Sequence, residues 1–194
     1  GRLDLRGVAY AVANEARRVL GCDRVSVATP RRGSLRVQAI SGLDAFDPRA
    51  TPVRQLEQLV QRVAVLGEPL FYGVAGQAVP PELETSVDQY VDQSHTRTLV
   101  VLPLTDPEQN GEARAVPVGA VVLESFAAGP GEMADRATLA TLGRQARLAL
   151  ARAVRYERIP AVRVWERLGR WCSAGRVTRA ALWLLPLAAV AAQL

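Results

Sequence analysis

Arg97-Thr-Leu-Val-Val-Leu-Pro-Leu104 is the stretch on which the reading of the fold turns. It is short and nearly continuously apolar, which describes a strand covered on both faces in the interior of a sheet. The polar segment Asp106–Arg114 follows and contains Asn110-Gly111, a turn dipeptide. Val116 to Ser125 then returns as a second apolar strand, so the two make a hairpin. Upstream, Arg24–Ala28 places Val25 and Val27 on one face, and Leu35–Ala39 places Leu35, Val37 and Ala39 on one face. The segment Pro30–Gly33 between them supplies the turn of another hairpin.

Helical spacing fills the remaining positions. Leu5, Val8, Val12, Ala16 and Val19 recur every three or four residues before Gly21. Val53, Leu56, Val60 and Val63 do the same before Gly67. Pro69–Tyr72 reads as a short edge strand, where proline is tolerated. Residues 82–93 form a weaker helix with Leu83, Val87, Tyr90 and Val91 inward. After Gly129-Pro130-Gly131 a long helix runs from about Ala134 to Arg158, with Leu139, Leu142, Ala146, Ala149, Ala153 and Tyr156 on one stripe. The stripe is rich in alanine and too short in strong heptads for a coiled coil, so packing on the sheet ranks above dimerisation; a homo-oligomer remains the alternative. The order α-β-β-α-β-α-β-β-α predicts an α+β domain: one antiparallel sheet of about five to six strands with helices on its faces.

The 194 residues include 24 basic ones, all arginine, and carry a net charge of +5. That length accommodates one domain and an appendage without disulfide staples. Residues 1–149 hold 16 Arg against 17 acidic residues, and residues 150–194 hold 8 against 2. The basicity therefore belongs to the tail, which argues against a nucleic-acid-binding domain. From Ala180 to Leu194 the chain has no charge. Arg163, Arg167, Arg170, Arg176 and Arg179 crowd the flank of this stretch, with Trp171 and Trp183 at its boundary. Arg-rich flanks stay cytoplasmic and tryptophan favours the headgroup zone. The expectation is a domain at 4–158, an Arg-rich juxtamembrane linker at 159–179, and the start of a truncated transmembrane helix at 180–194. Residues 1–179 would then lie on the cytoplasmic side of the inner membrane. A chain that starts at Gly1 is read as a piece of a longer one.

Five segments together resemble a GAF domain over roughly Asp4 to Arg158. They are Leu20-Gly-Cys-Asp-Arg-Val-Ser-Val27, Ile40-Ser-Gly-Leu43, Val65-Leu-Gly-Glu-Pro-Leu70, Arg97–Leu104 and Val118-Gly-Ala-Val-Val-Leu-Glu124. The resemblance implies a six-stranded antiparallel sheet with a ligand pocket between the sheet and the middle helices, here near residues 70–97. No Asn-Lys-Phe-Asp-Glu signature is present in a chain without lysine, and no cysteine stands where a bilin would attach. A GAF domain followed by an Arg-rich linker and a span is also similar to the N-terminal part of bacterial membrane-fusion proteins of the HlyD type, periplasmic adaptors of secretion and efflux systems.

Candidate ligand-binding residues follow from that pocket. Phe71, Tyr72 and Tyr90 suit a flat ligand, against ordinary core as the simpler role. Arg97 suits an anion, against a salt bridge to Asp92 or Glu84. His95 lies at the family's ligand end, against a loop-capping role. One histidine excludes His-based metal clusters, and no nucleophile-elbow, Walker or dinucleotide motif occurs. The expected function is non-catalytic: a sensory or regulatory module for an unidentified small molecule, with no cofactor and no metal assigned. The rivals are a ligand-free structural or dimerisation module, and the sensor of a kinase or cyclase whose catalytic part lies elsewhere.

Overall fold

The computed structural model describes residues 4–105, 117–127 and 136–158, with side chains to Val154. The loop at 106–114, the glycine break at 129–131, the basic linker at 159–179 and the apolar stretch at 180–194 all fall outside the described residues, wholly or in their essential part. Among the described residues no helix is long and apolar enough to cross a membrane.

The elements are α1 (Leu5–Leu20), β1 (Arg24–Arg31), β2 (Ser34–Ile40), α2 (Thr51–Leu66), β3 (Leu70–Tyr72), α3 (Pro81–Ser94), β4 (Thr98–Thr105), β5 (Pro117–Ser125) and α4 (Arg136–Arg158). Five described strands form one antiparallel sheet in the order β2-β1-β5-β4-β3. β5 is central, β4 is interior beside it, and the three-residue β3 is an edge. Helices cover both faces. On one face α1 and α4 pack over Val25, Val27, Val100, Leu102, Val121 and Leu123. On the other, α2 and α3 pack over Ala28, Val37, Leu99, Val101, Ala120 and Val122. The alternation within β4 and β5 thus serves two cores, which is why both strands read as continuously apolar.

Three details differ from the periodicity reading. The buried stripe of α1 is Leu5, Ala9, Ala13, Ala16 and Leu20, while Val19 is 54% exposed. Alanine lets the helix axis approach the sheet, so the small residues face inward and the valines sit at the flank. Strand β1 runs on to Arg31, and the turn is the pair Arg32-Gly33, with φ of 52° and 86°. Two positive φ angles give the hairpin turn that matches strand twist. Leu35 and Val37 do share a face, but Ala39 joins the opposite core. The ladder pairs Val27 with Ala39 and Ala28 with Val37, so Gln38 is the extra residue of a bulge that reverses the alternation. In α4, Leu150 is fully buried beside the predicted stripe.

Helix ends follow local chemistry. Asp4 caps α1 by accepting from the Arg6 N–H, and Gly21 and Gly67 close α1 and α2 in the left-handed conformation. Helix α3 ends on His95 at φ 57°, a conformation uncommon for a residue with a side chain.

Candidate functional site

Among the described residues, two of the places that combine polar chemistry with burial or concavity bear on function. The first lies where β1, β5 and α3 meet. Arg24 and Glu124 face each other across the β1–β5 ladder. Glu124 has no exposed surface. Arg24 grips it with a two-pronged fork, Nε to Oε2 at 2.7 Å and Nη2 to Oε1 at 2.7 Å. The Tyr90 hydroxyl donates to Oε1 at 2.7 Å, and Thr96 Oγ1 donates to the same oxygen at 3.0 Å. Ser94 Oγ lies 2.7 Å from Thr96 Oγ1 and extends the chain of bonds to the end of α3. The Arg24 guanidinium also stands 4.9 Å over the Phe126 ring.

The electrostatics make this a lock rather than a proton shuttle. The bonds to Glu124 hold the Arg24 guanidinium above its already high ordinary range. Burial, and then the charge of Glu124, pushes the Tyr90 phenol well up, so Tyr90 stays a protonated donor. Oε1 accepts three of these hydrogen bonds and Oε2 one, which is what makes a buried charge tolerable.

The second place is a groove of about 590 Å³ between β3, β4 and the first half of α4. Its floor is Phe71, Leu102, Leu104 and Leu139. Arg144 and Arg147 stand on its α4 wall, and Glu68 is the one carboxylate among its described lining residues. Arg147 Nε is buried with no hydrogen-bond partner. An unmet buried donor costs about 1–3 kcal/mol. Gly143 lines the same wall, and a Cβ added there would meet nothing within 4 Å. A glycine inside a helix costs about 1 kcal/mol relative to alanine. No neighbouring atom compels it; its effect is to keep the wall open.

The five residues singled out from the sequence do not converge. Tyr90 is in the buried lock. Phe71 and Tyr72 are consecutive on β3 and therefore lie on opposite faces, Phe71 toward the α4 groove and Tyr72 toward the α2–α3 core. His95 and Arg97 are exposed on the α3–β4 connection, where their backbone N–H groups bond to Val91 O and Ser125 O. The side of the sheet under α2 and α3 is occupied by Leu59, Val60, Leu83, Val87 and Leu99. The membrane-proximal residues Arg163, Arg167, Arg170, Trp171, Arg176, Arg179 and Trp183 are outside the described residues. Arg24, Glu124, Thr96, Arg144 and Arg147 are the functional candidates the sequence reading passed over. A signal for the first two existed: a lone acid ends the apolar run of β5 and a lone base opens β1.

Comparison with known proteins gives a consistent result. The family model described as "GAF domain" matches residues 4–150. Among solved structures, a GAF domain/HD domain protein from Geobacter sulfurreducens aligns with a TM-score of 0.55 and 16% identity, covering 82% of this chain and 98% of that one. GAF3 of Slr1393 from Synechocystis sp. PCC6803, in its photoproduct state, aligns with a TM-score of 0.54 and 18% identity, covering 80% and 98%. Residues 122 to 287 of a methyl-accepting chemotaxis protein align with a TM-score of 0.55 and 19% identity, covering 81% and 95%. No curated protein matches the chain. At these identities the structural likeness speaks for the fold.

Proposed function

From the premise that this chain belongs to the GAF domain family, we propose that it is a non-catalytic sensory domain that binds a small molecule and is tethered to the inner membrane. The observation that carries the reading is the groove of about 590 Å³ set into a domain of this family. Pockets that take small ligands are of this size, mostly apolar, with a few convergent polar groups. The Arg24–Glu124 lock supports a fixed frame for the domain, because it ties β1, β5 and the end of α3 together.

The tether rests on the sequence. Residues 159–179 are rich in arginine and tryptophan and residues 180–194 carry no charge, an order that supports a cytoplasmic side for residues 1–179. The wider setting that fits is a secretion or efflux adaptor of the membrane-fusion type, with the sensor on the opposite side of the membrane from the adaptor body.

Two measurements test this. A thermal-shift screen of the whole chain against a metabolite panel should give at least one saturable stabilisation, as any ligand that prefers the folded state must. No shift with any compound would remove the sensing role. For the tether, a fluorescent protein fused to the N-terminus should report from the membrane fraction with the 194-residue chain and from the soluble fraction when the chain stops at Arg179. Recovery of both in the soluble fraction would remove the tether.

A further inference from the structure

We propose that the groove between β3, β4 and α4 is the ligand site, and that it takes a small monocarboxylate with an apolar body. The proposal rests on the sensing role above and names its ligand class. The site lies on the α1–α4 face of the sheet, not beneath α2 and α3, where the sequence resemblance had placed a pocket.

Three observations converge on one ligand chemistry. The floor is apolar, with Phe71, Leu102 and Leu104 from the sheet and Leu139 from α4. It suits an alkyl chain or a ring, while Gln77, Thr105, Glu68, Arg144 and Arg147 supply the polar part of the lining. On its α4 side, Arg147 keeps a buried Nε without a hydrogen-bond partner, and Arg144, one helical turn earlier, bonds among the described residues to Thr141 Oγ1 at a long 3.4 Å. A planar guanidinium with a free edge matches a carboxylate in a two-bond geometry. Among the described lining residues Glu68 is the one acid against Arg144 and Arg147, a balance of one positive charge that suits one carboxylate better than a polyphosphate. Gly143 immediately precedes Arg144 and leaves open the space a side chain would take.

That glycine also supplies a clean test. Gly143→Leu adds volume into open space on a helix that favours leucine, so the fold is retained while the groove is filled. The experiment uses the full chain in nanodiscs and a diazirine-bearing benzoate photoprobe, with octanoate as competitor and the matching benzyl alcohol probe as the neutral control. The expected result is labelling of peptides from β4 and α4, displaced by excess octanoate and at least tenfold weaker with the alcohol. Gly143→Leu should cut labelling at least tenfold. Arg147→Gln should cut it about tenfold, and Arg147→Lys, which keeps charge but loses the fork, should fall between. Circular dichroism and the melting temperature check that each variant is folded.

Labelling elsewhere on the domain, or labelling of the groove that survives Gly143→Leu, overturns the site. Equal labelling by acid and alcohol overturns the carboxylate. A metabolite that stabilises wild type and Gly143→Leu alike overturns the groove but leaves the sensing role standing. No labelling and no stabilisation by any compound overturns both.

Discussion

Removing the guanidinium from the Arg24–Glu124 lock should cost the domain a large part of its stability. Arg24→Met leaves a carboxylate with no exposed surface facing only the hydroxyls of Tyr90 and Thr96. Breaking a buried ion pair from one side costs about 3–5 kcal/mol, because the surviving charge is left uncompensated. The lower end applies here, since two donors remain and the Arg24 side chain is already 32% exposed; about 3 kcal/mol is expected. Glu124→Leu should cost about 2–3 kcal/mol, mostly from the two buried hydroxyls it strands. The double variant Arg24→Met/Glu124→Leu should lose only about 2 kcal/mol, because replacing a whole buried pair with apolar residues is near neutral. The cycle therefore predicts a coupling energy of about 3–4 kcal/mol. Urea titrations followed by circular dichroism measure all four corners, and Arg24→Met should lower the melting temperature by roughly 6–12 °C. An Arg24→Met variant within about 1 kcal/mol of wild type, or a cycle additive to about 0.5 kcal/mol, would refute the account of Glu124 as a charge held by Arg24.

Edge protection gives a second expectation. Glu57 and Gln61 on α2 accept the outward N–H groups of Val37 and Leu35 on the edge strand β2, at 3.0 and 2.9 Å. Glu57→Ala should destabilise by about 1–3 kcal/mol and raise the rate of aggregation measured by light scattering, while Glu57→Gln, which keeps an acceptor, should do neither to the same extent. Gly119 in β5 is packed so closely that an added Cβ would lie 2.6 Å from the Ala28 carbonyl oxygen. Gly119→Ala should therefore cost about 1–3 kcal/mol in urea titrations despite the better strand propensity of alanine. Asp23 accepts the Phe126 N–H at 2.7 Å and the Ser125 hydroxyl at 3.1 Å, and the backbone bond chiefly holds its carboxyl below the usual range. A lowered folded value stabilises at pH above the ordinary carboxylate range and is lost as pH falls through it. Asp23→Asn should thus lower stability at pH 7 by a small amount, since solvent screens this exposed carboxylate, and flatten the acid limb of the stability–pH curve; an unchanged limb would exclude that carboxylate as a source of acid sensitivity.

The parts of this domain that were legible in the sequence are those in which one residue's identity depends on one environment. Arg97–Leu104 reads as an interior strand because Leu99 and Val101 face one core while Val100, Leu102 and Leu104 face the other. Gly21 and Gly67 read as helix ends because the left-handed conformation there favours glycine. What was hidden depends on pairs. A bulge at Gln38 moves Ala39 across the sheet, and its cause lies in the register with β1 rather than in the residues of β2. On α1 the valines drew the eye, yet the distance of the helix from the sheet is set by which side is small, so Ala9 and Ala13 win the interface. Arg24 and Glu124 are 100 positions apart and become one unit only once β1 and β5 are neighbours. Arg147 needed the whole stack of β3, β4 and α4 before its unpaired nitrogen meant anything. The candidate site was least legible for the same reason that makes it a site. A sensor's recognition surface is assembled from side chains that leave room for one another, and the clearest mark of that room is Gly143, the residue with no side chain to read.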